Sequence, residues 1–240
     1  MNQEKKIRFK YRIKYAKGPE MRFVSHLDLM RLFQRAIRRA GLPIGYSHGF
    51  NPHQLMSFGN PLSLGMTSIG EYCDIELESE LEAIEIAKRL NAVMNAGISI
   101  LGAVRLPQGA LTAMADLCAC RYEAFLDNGI TGEMVKKNIK GFLEQEEILA
   151  MKKTKSSLKK TDIRPDIFEI EDISDESGAK LSILLAAGST RSLRADLTVQ
   201  TFCDYMGVEF NKYRTVFRRI DMYSLCNDKL VPLGGEVVAP

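Results

Sequence analysis

Ten residues near the start of the chain, 6–15, alternate without a break. Ile7, Phe9, Tyr11, Ile13 and Tyr15 fall on one parity, Lys6, Arg8, Lys10, Arg12 and Lys14 on the other. A period of two over that length fits a half-buried strand and not an amphipathic helix. A strand of this kind needs partners to cover its apolar face, so the pattern that follows decides the fold. Ser25 reads as an N-cap with Asp28 as its acid three residues on. Leu29, Leu32, Phe33, Ala36, Ile37 and Ala40 form an apolar stripe that predicts a helix to about Arg39, ended by Gly41 and Pro43. A Gly- and Pro-rich excursion covers 42–66. After it come an alternating strand over 71–78 with Cys73, Ile75 and Leu77 inward, a helix over 81–95 stopped by Gly97, and a closing strand over 98–106. With one strand inside the excursion, the order is β-α-β-β-α-β, the ferredoxin-like arrangement.

Past Pro107 the pattern recurs as a structural echo without a sequence repeat. Strands are expected over 117–126, 148–153, 167–173, 181–186 and 215–225, and helices over 131–145 and 194–206. The expected fold class is therefore α+β, with two ferredoxin-like (βαββαβ) domains built on antiparallel sheets. Residues 1–107 would carry the basic helix and a His/Gly/Pro-rich loop, residues 115–230 would form the second α+β domain, and Gly234, Gly235 and the apolar tail would be a loose end. In such a sheet the first and third strands are antiparallel neighbours. Asp74, Glu76 and Glu78 would then face the basic residues of the first strand in exposed, individually weak pairs, which explains both charge runs without a ligand. The sheet has no aromatic stacking platform of the RRM type.

Charge is polarised along the chain. Residues 1–60 hold twelve Lys and Arg against three acids, while the whole chain carries a net charge of +3. Arg31, Arg35 and Arg38 recur at helical spacing on the polar side of the first helix and are joined by Arg39, with Asp28 the one nearby acid. A guanidinium face of this kind suits a polyanion such as RNA; its plain alternative is a solvated helix surface. A second basic run, Lys152, Lys153, Lys155, Lys159 and Lys160, leads to Arg164 and is read either as a solvated loop or as a second phosphate-contacting element.

The three histidines, His26, His48 and His53, all lie between Phe23 and Gly65. His26 sits at the helix N-terminus, where the dipole favours the neutral imidazole that can act as a base beside a phosphodiester; the competing reading is a locally packed histidine. His48 and His53 flank the turn-forming Gly49-Phe50-Asn51-Pro52. With Asp28 and Asn51, the three histidines form the candidate pocket. No close-spaced ligand pair supports a metal site, and Cys118 and Cys120 at i, i+2 read as buried small hydrophobes. The iron–sulfur spacing CxxxCxxC, a Walker A loop and GxGxxG are all missing from the sequence, so no cofactor is expected. Five cysteines without a disulfide framework, a polar start and no membrane-length apolar run lead us to expect a cytoplasmic protein with no membrane partner.

The segment RFVSHLDLMRLFQRAIRRAGLPIGYSHGFNPHQLMSFGNPLSLGMTSIGEYCDIEL resembles the bacterial radical SAM-linked (radical SAM-associated) proteins, a family of unknown function; Lys160-Thr161-Asp162-Ile163-Arg164-Pro165 resembles a second motif of it. The resemblance implies a radical SAM protein as partner, with this chain as the non-catalytic half. The tandem layout is also similar, at fold level, to the CRISPR repeat-processing endoribonucleases of the Cas6 type, which would make His26 the matching catalytic candidate; Leu233 to Glu236 is too sparse to match their glycine-rich loop. The expected function is an accessory module that binds RNA or presents it for modification, through Arg31, Arg35, Arg38, Arg39, Lys159, Lys160 and Arg164. The alternatives are a metal-independent endoribonuclease using His26, or a protein-docking scaffold using the 45–64 loop. In that loop Phe50, Met56, Phe58 and Leu62 either dock or fill the core, with core filling expected for at least half of them.

Overall fold

The structure, a computed structural model, describes residues 7–126, 129–153, 158–235 and 237–240. The chain divides into two compact units, Met1–Leu117 with Met222–Pro240, and Cys118–Asp221. The strands are mostly antiparallel, and the described residues include five α-helices, none long and apolar enough to cross a membrane.

The first unit runs β1 (Phe9–Lys17), α1 (His26–Arg39), β2 (Met56–Phe58), β3 (Thr67–Leu77), α2 (Ala83–Val93), β4 (Ile98–Arg105) and a single turn, α3 (Ala113–Asp116). Its sheet has the order β4-β1-β3-β2, every pair antiparallel. The alternation in β1 works as expected on its apolar side, although Lys6 lies outside the described residues. Tyr11, Ile13 and Tyr15 join Cys73, Ile75 and Leu77 of β3 in one cluster with Leu29, Leu32, Phe33, Ala36 and Ile37 of α1 and Ile86, Ala87 and Leu90 of α2. Both helices therefore cover one face of the sheet.

The opposite face corrects the expectation of exposed, weak charge pairs. Arg12 lies across from Asp74, and both are only 2% exposed. All five N–H donors of the guanidinium are used. Nε and Nη2 form a fork onto Asp74 at 2.8 and 3.1 Å, Nη1 donates to Asp116 at 3.2 Å and to the Leu233 carbonyl at 2.6 Å, and Nη2 also donates to the Leu111 carbonyl at 2.9 Å. Asp74 Oδ2, which takes the Nη2 arm of the fork, also accepts the Ala113 amide at 2.8 Å, and this fixes the first turn of α3. The carboxylates raise the Arg12 pKa above its ordinary value against the desolvation that opposes them.

The segment after residue 107 and the returning tail both bind Arg12 and belong to the first unit, and the compact units divide at 117/118 and 221/222. The tail is not the expected loose end. Val238 exchanges backbone hydrogen bonds with Ala103 of β4 at 3.0 and 3.1 Å, and Leu233 is buried.

The second unit runs β5 (Ala119–Phe125), α4 (Gly132–Leu143), β6 (Leu149–Lys153), β7 (Leu158–Asp162), β8 (Ile167–Asp172), β9 (Lys180–Ala186), α5 (Ala195–Tyr205) and the first half of β10 (Val216–Cys226). The order is β10-β5-β9-β8, with β6 and β7 forming a separate hairpin. Phe142 of α4 and Phe202 of α5 meet at 5.1 Å between ring centroids, in the core of this unit. Residues 223–226 of β10 pair with β11 (Lys229–Pro232) in the first unit.

Candidate nucleic-acid interface

Both ends of α1 are set by local chemistry. Ser25 Oγ accepts the Asp28 amide at 3.2 Å and donates to the Asp28 carboxylate at 2.7 Å. At the other end, Gly41 has a φ of +62°, its amide donates to the Arg38 carbonyl, and the Leu42 amide donates to the Ile37 carbonyl; this is a Schellman ending that requires a residue tolerant of left-handed backbone. With the helix fixed this way and its apolar stripe buried, Arg31, Arg35, Arg38 and Arg39 all face solvent.

Their partners are sparse. Asp28 pairs with Arg31 at 3.3 Å, and its carboxyl pKa lies below the ordinary value, first through the Ser25 hydroxyl and then through Arg31 and Arg35. Arg39 donates to the Val93 carbonyl at the end of α2, at 2.6 Å. The Arg38 side chain makes no hydrogen bond or ion pair among the described residues. Asp28 thus acts on Arg31 and Arg35, while Arg38 and Arg39 have no ion pair among the described residues, and positive charge left unneutralised on a helix surface attracts phosphate.

His26 occupies the first position of α1, half-buried and edge-on to Phe58 at 5.5 Å. Desolvation, and then the charge of Lys17, lower its pKa and favour neutral imidazole. Lys17 is the neighbour that the sequence reading missed. The β1–β3 ladder slips by one residue between Tyr15 and Lys17, and Lys17 Nζ, itself buried, donates to the Val24 carbonyl at 3.0 Å just before the helix. The end of the alternation at Tyr15 was the only sequence signal for it.

The remaining candidates divide. His48, Asn51 and His53 are exposed on one loop, which is closed by paired contacts between Ser47 and His53: Ser47 N to the His53 carbonyl at 2.8 Å, His53 N to Ser47 Oγ at 3.0 Å, and Ser47 Oγ with His53 Nδ1 at 2.8 Å. Gln54 at its base donates to the Gln34 carbonyl at 3.3 Å, so the loop meets α1 about two turns beyond His26 and Asp28. Met56 and Phe58 pack against the core, whereas Phe50 is fully exposed. Cys73 is fully buried, and burial pushes its thiol pKa well above the ordinary value.

Lys159 and Lys160 are exposed on β7, across the hairpin from Lys152 and Met151. Lys155 lies outside the described residues. The half-buried Arg164 side chain donates to the carbonyls of Leu143 at 2.8 Å and Ile167 at 3.2 Å. Asp162 Oδ1 accepts the amides of Ile148 and Arg164, both at 2.9 Å, and Ile163 is buried. The Asp-Ile-Arg stretch therefore ties the foot of the hairpin to the end of α4, a structural task.

The model of a family described as "Uncharacterized protein conserved in bacteria (DUF2344)" matches residues 10–195. No curated protein matches the chain. Among solved structures, the chain is similar to one described as "Crystal Structure of a Cbf5-Nop10-Gar1 Complex", at 13% identity and a TM-score of 0.47, over 88% of this chain and 48% of that one. It spans about half the length of the solved chain it matches.

Proposed function

The chain belongs to the bacterial family DUF2344, and we propose that it is a cytoplasmic, non-catalytic accessory protein that binds RNA through the arginine face of α1. The observation that carries this reading is the set of four exposed guanidinium groups on α1, of which, among the described residues, Arg31 alone is paired with an acid. Phosphate contacts of this kind hold a nucleic acid in register whatever its sequence. Lys159 and Lys160 add a second basic element on the hairpin. The order β4-β1-β3-β2 in one unit and β10-β5-β9-β8 in the other supports reading each as a ferredoxin-like fold, the second carrying an inserted hairpin. The sequence resemblance supports a radical SAM enzyme as the partner to which the RNA is presented, and the five free cysteines fit a reducing compartment.

A second reading rests on His26. A neutral imidazole beside buried Lys17 is a general-base candidate, and in a metal-independent endoribonuclease of the Cas6 type it would take the proton of an attacking 2′-hydroxyl. Its edge-on contact with Phe58 favours a packing role.

Gentle purification of the chain from a bacterial host of the family, with sequencing of the bound RNA and identification of co-purifying proteins, tests the proposal. A defined RNA that is lost in the Arg31→Ala/Arg35→Ala/Arg38→Ala variant is the expected result. Recovery of the radical SAM partner with no RNA would make the chain a docking scaffold. Cleavage of the bound RNA by the wild type, abolished in His26→Ala, would make it a nuclease.

A further inference from the structure

We propose that the α1 interface takes single-stranded RNA and holds it by stacking unpaired bases on Phe23 and Phe50. This rests on the RNA-binding reading above and names its substrate class. Three aromatic rings of the first unit are exposed among the described residues, Tyr46 at 41% and, far more so, Phe23 and Phe50. Phe23 is 70% exposed two residues before the N-cap of α1, and Phe50 is fully exposed at the tip of the 46–54 loop. A single exposed aromatic is unremarkable, but these two share a setting. Phe23 lies just before α1, and the loop that carries Phe50 is anchored to α1 at its base.

Phe23 has the Arg22 guanidinium over its ring at 4.8 Å, and the Arg22 carbonyl accepts the Gly65 amide at 2.9 Å, which ties this segment down. One ring is thus fixed beside cationic groups at the start of the helix. Phe50 stands on the loop that Ser47 and His53 close and that Gln54 anchors to the Gln34 turn. Leu27, Arg31, Gln34 and Arg38 follow at spacings of four, three and four, one stripe along the helix, so the loop stands beside the stripe that carries Arg31 and Arg38. Aromatic platforms flanking a line of guanidinium groups match the two needs of a single strand, phosphates to neutralise and bases to stack. A duplex meets only the first, because its bases already stack on each other and only its backbone and groove edges remain to be contacted. A protein partner would use the same rings as apolar anchors, but the exposed arginines of α1, of which Arg31 alone is paired with an acid among the described residues, favour a polyanion.

The test uses the full chain, a labelled single-stranded RNA of about twelve nucleotides, and the same RNA annealed to its complement. The Phe23→Ala/Phe50→Ala variant should lose about tenfold or more in affinity for the single strand, keep its affinity for the duplex and retain the wild-type circular dichroism. Phe23→Tyr/Phe50→Tyr, which keeps the π-face, should restore single-strand binding. If the alanine variant binds the single strand as the wild type does, while the arginine triple variant binds neither RNA, stacking is overturned and the RNA-binding reading stands. If the wild type binds neither RNA and the alanine variant instead loses the radical SAM protein, both readings fall and the surface is a protein dock.

Discussion

Two arginine-bearing stripes lie within the first forty residues, one on β1 and one on α1, and they use the same side chain in opposite ways. On β1, Arg12 is buried with all five donors satisfied, and it joins Asp74, the segment after residue 107 and the returning tail into one unit. On α1, Arg31, Arg35, Arg38 and Arg39 remain at the surface, and among the described residues Arg31 alone pairs with an acid, Asp28. The difference teaches that a run of positive charge is not a surface property until one knows what covers it. A strand offers its polar face to whatever chain crosses it. A helix with one buried stripe keeps its far side in water.

The most severe way to break this contrast is Arg12→Ala. It strands Asp74 in a buried site and leaves the Leu111 and Leu233 carbonyls without their donor, so unfolding in urea should show a loss of about 3–5 kcal/mol. A loss under about 1 kcal/mol would mean that Arg12 behaves like the surface arginines. Arg164→Ala sharpens the contrast from the second unit, where the sequence grouped this residue with the phosphate ligands although its bonds are to carbonyls. It should cost about 1–2 kcal/mol of stability and leave RNA affinity unchanged in a filter-binding titration.

His26 lies between the two classes and yields a pH dependence. Its pKa is depressed in the folded chain, so the unfolded chain binds more protons as pH falls through the ordinary imidazole range, near ~6.5. Its contribution is present above that range and is lost as pH drops below it. His26→Gln should flatten the decline in melting temperature between about pH 7 and pH 5; an unchanged decline would remove His26 as its source.

Which parts of this could be read from sequence follows from the distance over which each feature is determined. α1 was legible to the residue because Ser25, the apolar stripe and Gly41 all act within a turn of what they fix. That Asp74 would face the basic residues of β1 followed from alternation and strand order, and the register pairs it with Arg12. That the pair is buried did not, since Leu233 is 221 residues away from Arg12 and nothing local announces its return. Strand β7, LKKTD, was missed because it has no alternating apolar positions and is defined by pairing with β6. Lys17 was missed because a one-residue slip in the ladder ended the pattern that had located its neighbours.

The smallest expected change in stability belongs to the triple variant Arg31→Ala/Arg35→Ala/Arg38→Ala, whose exposed side chains should each alter it by no more than about 0.5 kcal/mol. That makes it the cleanest probe of function. The central claim is tested most directly by measuring RNA affinity of wild type and triple variant across a series of salt concentrations. If the arginines neutralise phosphates, the slope of log K against log salt should shrink in magnitude by about 2 in the variant, since each lost contact to a single strand removes ~0.7. Equal slopes in the two proteins would contradict the account and return the α1 face to solvent.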